Sequence, residues 1–179
     1  MTAIQVTRTY LELRSPLDLQ RGTLPTAIPT IERLAPCPVP LFRYLYSEVG
    51  RPYRWTDRLS WTDADIARHV SDPDIQLWLA SWEGESAGYF ELRRDPDRSV
   101  EIAYFGLLPA FIGRGWGKAL LTRAVDEAWR ADAVRVWLHT CTLDHPAALP
   151  NYISRGFRPV REETYSVPAT GEPASDRET

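Results

Sequence analysis

The sequence predicts one α/β domain on a mixed, mostly antiparallel sheet of about seven strands, flanked by about four helices. Three observations carry that expectation. Segments with the period of a strand and segments with the period of a helix follow one another in the order β-α-α-β-β-β-α-β-α-β-β. The three central strand segments are joined by Glu83-Gly84-Glu85 and Asp95-Pro96-Asp97, the chemistry of tight antiparallel turns. A chain of 179 residues with 44% hydrophobic and 25% charged residues has the size and composition of a single domain. Such a domain buries roughly 70% of its unfolded surface and needs no disulfide or metal staple to fold.

Residues 4–13 place Ile4, Val6 and Tyr10 or Leu11 at alternating positions, which predicts a first strand. Between Ser15 and Pro40 stand Pro16, Pro25, Pro29, Pro36, Pro38 and Pro40, so 15–40 is expected to be an irregular connection with short helical turns at most. Leu41 to Val49 reads as a helix with Leu41, Tyr44 and Leu45 on one face and Gly50 as its C-cap. Thr62 starts a second helix with Asp65 at the acidic N3 position of a capping box, and Ser71-Asp72-Pro73-Asp74 stops it. A meander follows: Ile75–Trp82, Ala87–Arg93 and Val100–Leu107. Leu120, Leu121, Ala124, Val125 and Ala128 then repeat at helical spacing over Gly117–Trp129. Val134, Val136 and Leu138 make another strand, a helix ends at Arg155-Gly156, and 157–167 reads as two short strands around Arg161-Glu162-Glu163. The domain is therefore placed at 1–167, with 168–179 as a polar tail expected to be disordered.

The charge balance, 21 Lys+Arg against 24 Asp+Glu, argues against nucleic-acid or anionic-membrane binding. No apolar run approaches the roughly 20 residues needed to cross a bilayer. The first fifteen residues alternate polar and apolar instead of forming the continuous apolar core of a signal peptide, so a cytoplasmic protein is expected. Cys37 and Cys141 are far apart, and neither they nor His139, Asp144 and His145 have the spacing of a disulfide framework or a metal site. Reduced thiols and no metal are the expectation.

The most informative stretch is Phe111 to Leu121, FIGRGWGKALL, which sets Gly113, Gly115 and Gly117 between a strand and a helix. Small residues there let backbone amides converge at the positive end of the helix, a geometry that binds phosphate. The spacing is not that of a Walker loop, and Lys118 stands where the dinucleotide fingerprint needs its third glycine.

With Gly115-Trp116-Gly117 at the last three positions of Q/R-x-x-G-x-G/A, and Ile112 in place of the Gln/Arg, the stretch resembles the signature of the GNAT superfamily of N-acetyltransferases. Gly106-Leu107-Leu108-Pro109 resembles the end of that family's fourth strand, and Asn151-Tyr152-Ile153-Ser154-Arg155-Gly156-Phe157 resembles the ending of its last helix. The element order agrees as well, so the resemblance spans roughly residues 3–167. It implies that acetyl-CoA is the acyl-donor co-substrate, with backbone amides of Ile112, Gly113, Arg114, Gly115, Trp116, Gly117 and Lys118 at its pyrophosphate. It further implies that Leu107 pairs with the pantetheine arm, that Arg114 and Lys118 add charge near the phosphates, and that Tyr152 protonates the departing thiolate. His145 falls where the family usually has asparagine, at the hydrogen bond to the cofactor arm. Pro150 lies in the same helix, which is then kinked or starts after Pro146.

An amine acceptor must lose a proton to attack a thioester. Glu101, at the start of the strand that ends beside the thioester, is the first candidate base and Glu91 the second. The segment Arg51 to Trp61 holds Tyr53, Trp55 and three arginines and is expected to bind the acceptor, an aromatic or carboxylate-bearing small amine or a peptide. Packing of those rings on the sheet edge is the competing reading. A non-catalytic CoA-binding or protein-interaction module is the alternative to an enzyme. Exposed edges of such sheets pair into dimers, which makes a homodimer a further expectation.

Overall fold

The computed structural model describes residues 3–169. Its strands are β1 (Ala3–Leu13), β2 (Thr30–Leu34), β3 (Ile75–Trp82), β4 (Glu85–Arg94), β5 (Ser99–Leu107), β6 (Arg135–Cys141) and β7 (Arg158–Pro168). Its α-helices are α1 (Val39–Gly50), α2 (Asp63–Val70), α3 (Trp116–Arg130) and α4 (Ala148–Ser154). All seven strands form one sheet in the order β2-β3-β4-β5-β6-β1-β7. Only β5 and β6 run parallel; the other neighbours are antiparallel.

Side chains alternate across the sheet and sort the helices onto its two faces. Trp78 and Phe90 stack on one face, where Arg123 of α3 lies 5.0 Å from the Trp78 ring. Leu120, Leu121, Ala124, Val125 and Ala128 are all fully buried, forming the apolar stripe that fastens α3 there. Burial of each such leucine contributes about 1.5–3 kcal/mol. Glu91, one residue on from Phe90, faces the other side, toward His69 of α2 and the segment between α1 and α2. The capping box on α2 forms as expected: Thr62 Oγ1 accepts from the Asp65 amide, and the Asp65 carboxylate accepts from the Thr62 amide.

Three expectations are corrected, and an alternative left open at Pro150 is resolved. The Pro-rich 15–40 segment contains β2, which pairs along β3 from Thr30↔Ser81 to Leu34↔Leu77. Pro29 and Pro36 flank it, and an edge strand tolerates neighbours that lack an N–H. The two short strands after Phe157 are one strand, β7, paired with β1 from Ala3↔Pro168 to Glu12↔Arg158 with a single irregularity at Val160. Arg161, Glu162 and Glu163 interrupt nothing, because charges on an edge strand stand in water and discourage further pairing. Seven strands are therefore present among the described residues, but not the same seven. Gly50 is inside α1 rather than its C-cap; a Cβ there would come within 2.5 Å of Trp55, so its role is to admit that indole. Pro150 is the third residue of α4, where the amide has no helical acceptor to lose, so the helix begins after Pro146 without a kink. Of the tail, Pro168 closes β7 and residues 170–179 lie outside the described residues. Among the described residues no helix is long and apolar enough to cross a membrane.

Candidate active site

The parallel ladder between β5 and β6 has three pairs, ending at Glu101↔Trp137. Beyond that point β5 runs on to Leu107 and β6 to Cys141 without meeting, so the sheet splits and the β5 edge facing the split has no ladder partner among the described residues. A bulge sharpens the divergence: the β4 register steps from Leu92↔Ile102 to Glu91↔Tyr104, leaving Ala103 as the extra residue. The split opens a cavity of about 770 Å³, bounded by Glu101 to Leu107 on one side and Leu138, His139 and Cys141 on the other. Residues 53–58 close it at one end, and Ile112, Gly113, Gly115, Gly117 and Lys118 reach it at the other.

At the latter end α3 begins without a side-chain cap, on Gly115 at φ 77°. That left-handed conformation favours glycine. Among the described residues the amides of Gly113 to Gly117 have no hydrogen-bond acceptor in the protein, which leaves a cluster of donors at a helix N-terminus. Gly117 is not at positive φ, and a Cβ built on it would meet nothing within 4 Å. Its missing side chain serves no contact of the chain itself and leaves room for close approach of a phosphate, so the turn fits a CoA pyrophosphate. Replacing Gly117 by Ala is therefore expected to raise helix stability by up to about 1 kcal/mol while weakening acetyl-CoA binding about tenfold. Paired thermal melts and calorimetric titrations check this, and unchanged affinity would make the glycine merely structural.

Two of the residues expected at the cofactor have side chains directed elsewhere. Arg114 folds back, its Nη2 donating to the Ala110 carbonyl at 3.4 Å and its guanidinium lying over the Phe111 and Trp116 rings. Trp116 is buried against Phe111 and Trp82 and donates from Nε1 to the Ala27 carbonyl at 2.9 Å. Charge at this end comes from Lys118, and Trp116 has only its amide to offer. Leu107 and His145 both line the cavity. His145 Nδ1 accepts from the Ala147 amide at 3.1 Å, so a neutral imidazole carries its proton on Nε2 and is a donor, as an asparagine amide would be.

Tyr152 reaches the same cavity from α4, 9% exposed and packed edge-on to Phe105 and Phe157. Burial, reinforced by the Asp144 charge, pushes its phenol above the ordinary value. Such a phenol keeps its proton at neutral pH and can part with it only as another replaces it.

Glu101 sits at the vertex of the split, 4% exposed. Burial pushes its carboxyl up to about 6, with Asp95 and Glu91 adding to the rise and Arg93 opposing it. His139 Nε2 lies 3.8 Å from Glu101 Oε1, and burial together with Arg8 lowers its own pKa. Glu91 is not in the cavity. It is fully buried under Arg58, whose Nη1 and Nη2 donate to its two oxygens at 2.6 and 2.9 Å, with His69 Nε2 3.0 Å from Oε1. It is a structural anchor for the 51–61 segment rather than a base.

That segment brings Tyr53 and Trp55 to the cavity as expected, with Trp55 edge-on to Tyr104 at 5.0 Å and the Tyr104 hydroxyl donating to Asp57 at 3.3 Å. These rings therefore pack on the sheet and line the cavity through the same contacts. Sequence reasoning did not single out Tyr104, Asn151, Arg93 or the placement of His139, all of which line the cavity. The one signal for His139 was its alternation with Leu138 on β6, which turns it away from the core.

Comparison with known proteins gives four findings. The acetyltransferase (GNAT) family matches residues 42–157. An uncharacterized N-acetyltransferase of Mycobacterium tuberculosis is 35% identical over 77 residues, 43% of this chain and 49% of that protein, so the chain spans about half the length of that relative. The N-alpha-acetyltransferase RimI of the same organism is 34% identical over 112 residues, 60% of this chain and 68% of that protein. Among solved structures, a GCN5-related N-acetyltransferase from Kribbella flavida superposes with a TM-score of 0.65 at 20% identity, covering 94% of this chain and 61% of that one. At that identity the likeness concerns the fold.

Proposed function

This chain belongs to the GNAT acetyltransferase family, and from that premise we propose that it moves the acetyl group of acetyl-CoA to a primary amine of a small molecule or peptide. The observation that carries the reading is one cavity that joins the uncapped start of α3 and the unpaired edge of β5 to a buried carboxylate and a buried phenol. Amides of 113–117 and Lys118 hold the donor's phosphates, the free edge from Ile102 to Leu107 takes its extended arm, and Nε2 of His145 donates to an amide carbonyl of that arm. The donor brings an already activated thioester, so orientation and aligned amide dipoles supply most of the rate.

Glu101 takes a proton from the acceptor ammonium, and the freed amine attacks the thioester carbonyl directly. As the carbon–sulfur bond breaks, Tyr152 gives its proton to the sulfur and regains one from the nitrogen that has become an amide. The balance is one amide, one thiol and one proton released to solvent. Cys141 lines the cavity, but burial and Asp144 push its thiol up, which disfavours the thiolate an acyl-enzyme would need. Tyr53 and Trp55 form the acceptor wall. Trp55→Ala is expected to raise the acceptor KM several-fold with the acetyl-CoA KM unchanged; an unmoved acceptor KM removes the ring from the acceptor site.

Calorimetric titration with acetyl-CoA, with NAD and ATP as controls, tests the donor half of this reading. Selective micromolar binding is expected, and no heat with acetyl-CoA overturns it.

A further inference from the structure

The side chains around Glu101 close a ring. Arg93 of β4 is the antiparallel partner of Glu101, and its Nη2 stands 2.7 Å from Glu101 Oε2, a charge contact outside hydrogen-bond geometry. Arg93 Nε donates to Asp95 Oδ1 at 3.3 Å. Asp95 Oδ2 in turn accepts from Trp137 Nε1 at 3.1 Å and from Ser99 Oγ at 3.2 Å. Trp137 is the parallel partner of Glu101 on β6 and the last pair before the split. From Glu101 through Arg93, Asp95 and Trp137 the path therefore returns to Glu101 across the ladder, and it ties β4, the β4–β5 turn and β6 together at the vertex.

We propose that Arg93 is a positioning residue for the transfer reaction: this ring holds its guanidinium on the Glu101 carboxylate so that the carboxylate is ionised, and aimed into the split, at neutral pH. The inference rests on the assignment of Glu101 as base. A carboxyl this deeply buried takes up a proton near neutrality unless a cation faces it. The charged groups facing Glu101 are Arg93 and Glu91 from β4, Asp95 from the turn, Arg58 from the segment before α2 and His139 from β6. Arg58 is bound on both nitrogens by Glu91, and desolvation together with the Arg8 charge lowers the His139 pKa and disfavours its charged form. Arg93 is the cation left to do it. Its own attachment to Asp95 fixes the guanidinium plane, and its side chain is 47% exposed, so it can be replaced without opening the core.

The test is a carbon-13 NMR titration of the glutamate carboxyls in the full chain, with the Glu101 signal assigned by its loss in Glu101→Gln, alongside the pH profile of kcat/KM. In Arg93→Met the Glu101 titration is expected to move up by about one pH unit or more, as loss of an adjacent opposite charge requires. The acid limb of the rate profile follows it by the same amount, and Arg93→Lys restores most of both. A Glu101 titration that does not move in a folded Arg93→Met protein overturns the inference. A titration that moves while the rate profile stays in place supports the ring and instead overturns Glu101 as the base.

Discussion

Glu101→Gln is expected to lower kcat about 10²- to 10⁴-fold, the usual contribution of a positioned general base, and to abolish the acid limb of the pH profile. The sign follows from which form works. Only the ionised carboxylate accepts a proton, so in the native enzyme the rate rises as pH passes about 6, where burial has moved this group, and levels off above it. Glutamine keeps the size and one carbonyl oxygen and has no proton to exchange, so the remaining activity is flat across that range. Binding of acetyl-CoA stays as it was, because the α3 turn at the other end of the cavity is untouched. A kcat within twofold of the native value, with the limb in place, would assign proton removal to another group, with His139 next to be replaced.

The largest effect on stability is expected from Glu91→Gln, about 3–5 kcal/mol by denaturant unfolding at pH 7. Glu91 is fully buried and the Arg58 side chain is 10% exposed, so removing the negative charge leaves a cation in the interior with nothing to neutralise it. Arg58 also lies over the Tyr104 and Trp61 rings, at 4.1 and 4.7 Å, which makes the pair the fastening of the acceptor wall to the sheet. Hydrogen bonds and charge from Arg58 and His69 outweigh desolvation and hold the Glu91 carboxyl below its ordinary value of 4.5. A depressed folded-state pKa contributes stability above the unfolded value and loses it as pH falls through the folded one. The gap between native and variant proteins therefore narrows below about pH 4.5. A loss under about 1 kcal/mol at pH 7 would be the behaviour of an exposed pair and would contradict the burial assigned here.

Regular, locally encoded features were legible in the sequence. The stripe on α3, the Thr62–Asp65 capping box and the two tight turns each announce themselves within about ten residues, and the structure forms all of them. β2 was hidden because five residues between prolines carry too short a pattern, and its existence depends on β3, more than forty positions away. β7 looked broken because three adjacent charges are incompatible with a half-buried strand, yet they suit an edge strand, and edge position is not written locally. The same division runs through the site. The glycine turn, Glu101 and Tyr152 stood out by type and spacing. Arg93, Asp95 and Trp137 did not, since what joins them is strand register across two ladders. Arg114 misled because a cation next to a glycine turn reads as phosphate-facing, whereas two aromatic rings draw it back.

Thiol release is the most direct measurement of the central claim that this split carries out acetyl transfer to an amine. The purified chain is incubated with acetyl-CoA and a panel of primary amines, including amino-terminal peptides, and free CoA thiol and acetylated amine are both followed. Amine-dependent release of one thiol per acetylated amine, lost in Glu101→Gln, is the expected result. Selective acetyl-CoA binding with no amine-dependent thiol would contradict the account and make the protein a CoA-binding module on the same fold.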